Sequence, residues 1–148
     1  MDYRIIKLRA YLMDVLQTLT NKKYPINANM LSNDPDHYSL DKIPTASTVE
    51  QWITGDETHR DVYSFRSRRN YSQDTINNLN NIGFFEDFEN LIKSNNKNGI
   101  LPEIEGIESI ECLNCGTLTF AQTNTAEFNI QIQITYRYKE REEASLWK

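Results

Sequence analysis

The sequence predicts an α+β fold: a mixed, mostly antiparallel β-sheet with an N-terminal helix and one or two central helices packed on one face. Three observations lead to this prediction. The first segment repeats apolar residues every three or four positions, as an amphipathic helix does. Two groups of short β-like segments are separated by a helical region. The second group ends in EFNIQIQITYRYKE, where every second residue from Phe128 to Tyr138 is large and apolar.

The length and composition of the chain are those of a single globular domain. The chain has 148 residues, 39% of them hydrophobic, which allows a core without disulfide bonds. We expect a single domain over residues 1–139 and a charged tail over 140–148. A net charge of -5 argues against a surface built as a whole for nucleic acid. No apolar run approaches the roughly 18 residues that span a membrane, and the charged N-terminus is unlike a signal peptide.

The first half of the chain is predicted to form one helix and four strands. The dipeptide Tyr24-Pro25 should end the helix, because a residue before proline avoids the helical region. Residues 55–61 are polar and begin with glycine, which predicts a hairpin loop. The predicted elements are a helix over 2–21 and strands over 26–31, 37–43, 48–54 and 62–68, with a turn at 32–36.

The second half is predicted to contain one or two helices and three strands. Ser72 has the character of a helix N-cap, and Gly83 is expected to interrupt or end that helix. Gly99 occupies the position of a C-terminal capping glycine, with Pro102 shortly after it. The predicted elements are helices starting at 72 and spanning 84–96, and strands over 106–112, 116–122 and 126–139.

The last strand is predicted to have two different faces. Its apolar residues can pack on the helices, because alternate side chains of a strand point to opposite sides. The residues between them include Asn129, Gln131 and Gln133. We expect this amide-rich face to lie against solvent or a neighbouring molecule.

Cys112 and Cys115 form the sharpest local motif, a C-x-x-C pair. A zinc ribbon needs a second pair of ligands, and only His37 and His59, both far upstream, are available. A thioredoxin-like redox pair begins a helix, whereas this pair lies between two predicted strands. We favour two incidental thiols at a hairpin, with metal binding and redox chemistry as open alternatives.

Other catalytic signatures are missing from the sequence. It has no G-x-S-x-G motif, and its five glycines form no phosphate-binding pattern. Acidic pairs such as Glu103 and Glu105 are explained by a solvated surface. We therefore expect a protein that is not an enzyme and that needs no metal or other cofactor.

One basic cluster and one aromatic residue are candidates for contacts with partners. The stretch FRSRRNY is the only basic cluster. It fits a solvated strand face, a protein interface or, with its tyrosines, a nucleic-acid contact. Trp147 stands in the charged tail, where it is either a chance aromatic or an anchor for a partner. The candidate interface residues are Arg66, Arg68, Arg69, Gln131, Gln133 and Trp147.

Residues 83–140 carry a pattern found in a family of small phage proteins: a glycine-aromatic-acidic helix, then N-x-G-x-LP, a small-glycine turn and a terminal strand of alternating character. This stretch resembles the minor capsid proteins or tail terminators of tailed bacteriophages and prophages of Gram-positive hosts. Upstream, YSLDKIPTAS and SFRSRRNY resemble further segments of that family. Cys115 replaces the usual serine, which favours the incidental interpretation of the cysteines. The matching positions are Gly83, Phe85, Asp87, Phe88, Asn98, Gly99, Leu101, Pro102, Gly116, Ile130, Gln131, Ile132 and Tyr136.

The resemblance implies a tail terminator located in the tail or neck of the virion and assembled in the host cytoplasm. Such a protein forms a ring, commonly a hexamer, on the last ring of the tail tube. Its partners would be further copies of itself, the tail tube protein and a head-completion or connector protein. DNA would pass through the lumen without specific binding. Two alternatives stay open: a head-completion or neck protein of the same particle, and a small host-side binding module or enzyme that uses Cys112 and Cys115.

Overall fold

The predicted fold class is confirmed by the computed structural model, whose described part contains two helices and seven strands in the predicted order. The described residues are 3–32, 34–44, 48–51, 53, 55–71, 75–114, 116–121 and 124–138. The elements are α1 (Arg4–Thr20), β1 (Ile26–Ala28), β2 (His37–Ile43), β3 (Thr48–Gln51), β4 (Glu57–Asn70), α2 (Thr75–Lys97), β5 (Ile107–Cys112), β6 (Thr117–Ala121) and β7 (Thr125–Tyr138).

Two long strands form the centre of the sheet. β4 and β7 each have 14 residues and pair antiparallel over their whole length, about 45 Å at the usual rise per residue. Beside β4, β2 and β3 lie end to end, and β1 pairs parallel with the outer side of β2. Beside β7, β5 and β6 lie end to end in the same way. We call the two ends of this ribbon the Glu57 end and the Asn70 end.

Both helices pack on one face of the sheet, as the sequence predicts. The rings of Tyr38 and Phe65 are stacked with centroids 5.5 Å apart, and Phe65 stacks in turn on Phe88 of α2 at 5.2 Å. This series of rings joins β2, β4 and α2 through one core. The alternation predicted for β7 is confirmed, since its helix-facing residues are buried: Ala126, Phe128, Ile130, Ile132, Ile134 and Tyr136.

The prediction that residues 55–61 form a loop is wrong. Glu57 to Asp61 are the first five residues of β4, and they pair with the last five residues of β7. Their polar composition predicts a loop only if no partner strand is present, and the last residues of β7 supply that partner strand. The end of β3 also differs from the prediction, since β3 ends at Gln51 rather than at residue 54.

The central helical region is a single helix that continues through Gly83. A glycine inside a helix costs about 1 kcal/mol relative to alanine, and the buried Phe85 and Phe88 that follow it hold this helix on the sheet. The C-terminal cap predicted at Gly99 is confirmed. Gly99 has a φ of 76°, and the Ile100 amide donates to the carbonyl of Asn95 at 2.8 Å. The predicted N-cap, residue 72, lies outside the described residues.

α1 ends earlier than the sequence predicts. Its last residue is Thr20, because Asn21 adopts the left-handed conformation with a φ of 60° and donates its amide to the carbonyl of Gln17. Asparagine tolerates this conformation better than most residues. The helix is therefore stopped by Asn21, and Pro25 lies in the connection that follows.

Candidate functional site

No helix or strand of the described part of the chain lies on the face of the sheet opposite the helices, which we call the uncovered face. The connection after β1 crosses only its β2 side, where the Met30 amide donates to Ser39 Oγ at 3.1 Å and the Ser32 carbonyl accepts from Arg68 Nε at 3.2 Å.

The central side chains of the uncovered face come from β4 and β7 and are half-buried by one another. The amide of Asn129 donates to the hydroxyl of Ser64 at 2.6 Å, and that of Gln133 to Glu111 Oε1 at 2.7 Å. Gln131 lies between them on the same strand face. This uncovered face is thus polar and laterally hydrogen-bonded, which suits solvent or a polar partner.

Arg66 and Arg68 lie on the uncovered face near the Asn70 end, but acids of the same chain balance their charges. Arg66 Nε is 2.7 Å from Asp41 Oδ2, and Arg66 Nη1 is 3.5 Å from Glu127 Oε1. Arg68 is buried; its Nε donates to the carbonyl of Ser32, and its Nη2 is 4.0 Å from Glu127. These contacts join β2, β4 and β7 across the sheet. The arrangement leaves little positive charge to attract a phosphate group.

Arg69 lies on the opposite, helix-facing side, so strand alternation divides the basic cluster predicted from the sequence. Its guanidinium carbon is 4.0 Å from the centre of the Phe84 ring, a cation–π contact. Its Nε donates to the side-chain oxygen of Asn81 at 3.3 Å, and its Nη1 is 3.8 Å from Asp36 Oδ1. Arg69 therefore fastens α2 to the sheet.

A buried carboxylate on the helix-facing side was not predicted from the sequence. Asp61 has a side chain that is 1% exposed, and its Oδ2 accepts from Arg4 Nε at 2.8 Å and from the Tyr63 hydroxyl at 3.5 Å. Its Oδ1 accepts from the Tyr136 hydroxyl at 3.3 Å. We call these four residues the Asp61 cluster. It ties the first residue of α1 to the two central strands. Its signal in the sequence is an acid two residues before Tyr63, at a core-facing position.

The cluster changes the titration of its two tyrosines. Burial raises the pKa of Tyr136 to about 12, and the adjacent negative charge of Asp61 contributes to the increase. The same two causes raise the pKa of Tyr63 further. Both hydroxyls are therefore held in the neutral, hydrogen-donating form in the folded protein.

We expect the free energy of unfolding to fall steeply as the pH rises from 10 toward 12. The folded protein holds the Tyr136 proton more tightly than the unfolded chain, whose tyrosines have a pKa of about 10. This contribution to stability is complete below pH 10 and is lost as the pH approaches the folded pKa. Urea denaturation across this range should give a shallower fall for Tyr136→Phe. Tyr3→Phe, at an exposed position outside the cluster, should keep the wild-type slope; equal slopes for all three proteins would contradict the prediction.

Among the residues considered for metal or redox chemistry, the described ones, Cys112, His37 and His59, do not come together. Cys112 faces the helices opposite Ile132 and packs against the core, and residue 115 lies outside the described residues. His37 pairs with Arg68, whereas His59 is nine residues earlier in β4, so the two histidines are about 30 Å apart. Within the described ranges, no group of three or more His, Cys, Asp or Glu residues is arranged to hold a metal ion.

Comparison with protein-family models gave no match, and a search of the curated proteins gave none either.

The remaining predicted interface residue, Trp147, belongs to the segment 139–148, which lies outside the described residues. Neither helix in the described part is long and apolar enough to cross a membrane.

Proposed function

We propose that this chain is a structural protein of a tailed bacteriophage, the tail terminator, which binds the end of the tail tube, stops its growth and presents the surface to which the head joins. One structural observation carries the proposal. The two central strands form a ribbon about 45 Å long, and its uncovered face is polar with its charges balanced inside the chain. Such a surface is suited to contact with other proteins rather than to activating a substrate.

The residues that carry the resemblance to the phage family have clear places in this fold, and this supports the proposal. Gly99 caps α2, and Pro102, three residues later, is buried. Gln131, another position of the pattern, does not face the helices but lies on the uncovered face of the sheet. The other apolar positions of the pattern on α2 and β7 build the core between helix and sheet: Phe85, Phe88, Ile130, Ile132 and Tyr136. The pattern therefore describes mainly how α2 packs on β7.

The proposed partners are those of a ring of identical subunits placed between the tail tube and the head. Subunits of a ring meet through two different surfaces, and the rotation between neighbours must close. We propose a hexamer that sits on the last ring of tail tube protein and receives a head-completion or connector protein on its other side. DNA passes through the lumen without specific binding, in agreement with the paired state of Arg66 and Arg68.

Deletion of the gene in the phage that carries it is the test of this function. We expect tails of uncontrolled length without heads, and we expect wild-type protein supplied in trans to restore normal particles. Tails of normal length that lack heads would contradict the terminator role and favour a head-completion or neck protein.

The cysteine alternative is tested in the same complementation experiment. A Cys112→Ser, Cys115→Ser variant should restore particles as well as the wild-type protein does, because Cys112 packs against the core. Failure of this variant, if it folds, would favour the small host-side module or enzyme that uses the two thiols.

A further inference from the structure

In the part of the chain that the structure describes, the sheet has four edge strands, and helix side chains bind the backbone of two of them. At β1, Arg9 of α1 donates from Nε to the carbonyl of Ile26 at 2.6 Å. At β5, Asn96 of α2 accepts the amide of Ile110 on its side-chain oxygen at 3.0 Å. An edge strand whose polar backbone groups are occupied cannot readily pair with another chain. Each of these contacts occupies a backbone group of the edge and places a helix beside it, α1 at β1 and α2 at β5.

The other two edge strands, β3 and β6, lie at diagonally opposite corners. β3 pairs with β4 at the Glu57 end, and β6 pairs with β7 at the Asn70 end. In the described ranges, neither strand has another strand on its outer side. We call these places the β3 corner and the β6 corner.

The β6 corner also exposes apolar side chains. Leu118 of β6 and Leu79 and Ile82 of α2 are between 44% and 58% exposed. α2 approaches this corner through Phe85, whose ring lies against Gly116 just before β6, and Ile82 is one turn earlier on the same helix. The first part of α2, residues 75–83, has no charged residue. An uncharged apolar surface beside an open strand edge gains free energy when a partner covers it.

The β3 corner offers a matching apolar residue. Ile53, in the turn between β3 and β4, is fully exposed. β3 runs antiparallel to β4 and therefore in the direction of β7, whereas β6 runs antiparallel to β7. Two copies in the same orientation thus bring β3 of one copy and β6 of the other together as an antiparallel pair, the more stable pairing.

We propose that the β6 corner of one subunit pairs with the β3 corner of the next, extends the sheet between subunits and buries Ile53 against Leu79, Ile82 and Leu118. The partner is a second copy of this chain, because the two corners have complementary strand directions and each exposes apolar surface. This assignment rests on the proposed ring and names the surfaces that form it. Because the two surfaces differ, the contact is head-to-tail, as a closed ring requires.

The test uses one charged substitution at each corner. Ile53→Glu and Leu118→Glu should each weaken self-association by about 100-fold or more, since a buried unpaired carboxylate opposes the contact. Ile82→Glu is a second variant for the β6 corner. Ile100→Glu, at an exposed apolar residue in the connection between α2 and β5, is the matched control and should assemble like the wild type. Native mass spectrometry across a concentration series measures assembly, and circular dichroism checks folding.

A mixture of two defective variants gives the sharpest result. Ile53→Glu keeps an intact β6 corner and Leu118→Glu keeps an intact β3 corner, so mixing them should yield a one-to-one heterodimer and no ring. Absence of the heterodimer would overturn the head-to-tail pairing. Loss of assembly in Leu118→Glu together with normal assembly of Ile53→Glu would overturn it as well.

Failure of this inference is distinguishable from failure of the proposed function. If both corner variants assemble like the wild type, the named corners are wrong while the ring stands. If the heterodimer forms but gene deletion leaves tail length unchanged, the corners stand and the terminator function falls. A wild-type protein that stays monomeric at every concentration would overturn both.

Discussion

Replacing Asp61 with alanine is expected to lower the free energy of unfolding by about 3 kcal/mol, the lower end of the range for breaking a buried ion pair. The change removes the acceptor for Arg4, Tyr63 and Tyr136 at once. The two tyrosine hydroxyls then have no acceptor in a buried place, which is costly. Arg4 is 40% exposed, so its charge can turn toward water, and this keeps the effect from being larger.

Urea denaturation at neutral pH measures this effect, and the chain offers a matched control. Asp56 is paired with Arg137 at 3.5 Å, but both side chains reach solvent. Asp56→Ala should therefore cost less than about 1 kcal/mol, as is usual for exposed ion pairs. Asp61→Asn keeps an acceptor for the tyrosines and should fall between the two alanine variants. Equal losses for Asp61→Ala and Asp56→Ala would contradict a structural role for the buried cluster.

The same residue shows why part of the fold could not be predicted from the sequence. The two faces of β7 were predictable, because a two-residue period is a local property of the chain. The cap at Gly99 was predictable for the same reason. Asp61 lies in a polar segment that becomes a strand only because the end of β7 pairs with it, more than 70 residues further along the chain.

The candidate site depends even more on contacts between distant residues. The alternation of β4 separates Arg69 from Arg66 and Arg68, but the acids that balance Arg66 are 25 and 61 residues away in the sequence. Their pairing cannot be deduced from composition. The exposed apolar corners were missed because Leu79 and Ile82 have the spacing of core residues on α2. Only the packing of the helix shows which of its apolar residues face outward.

Gly106→Ala is expected to destabilise the protein by about 3 kcal/mol, from backbone strain together with a steric clash. Gly106 precedes β5 with a φ of 75°, a conformation that residues with a Cβ rarely adopt. A Cβ there would also overlap the backbone carbonyl oxygen of Arg137. The same Arg137 donates its amide to the carbonyl of Gly106 at 2.8 Å, so β7 cannot move away without losing this hydrogen bond.

Alanine substitutions at two other glycines distinguish the contribution of backbone strain from that of the steric clash. Gly99 has nearly the same φ, 76°, but open space around the position of a Cβ, so Gly99→Ala should cost only about 1 kcal/mol. Gly83 is helical and also has open space, so Gly83→Ala should stabilise the protein by about 0.5–1 kcal/mol. Urea denaturation of the three variants measures the series. A loss for Gly106→Ala no larger than that for Gly99→Ala would mean that the end of β7 can move aside, and that the contact with Gly106 does not fix where the central ribbon ends.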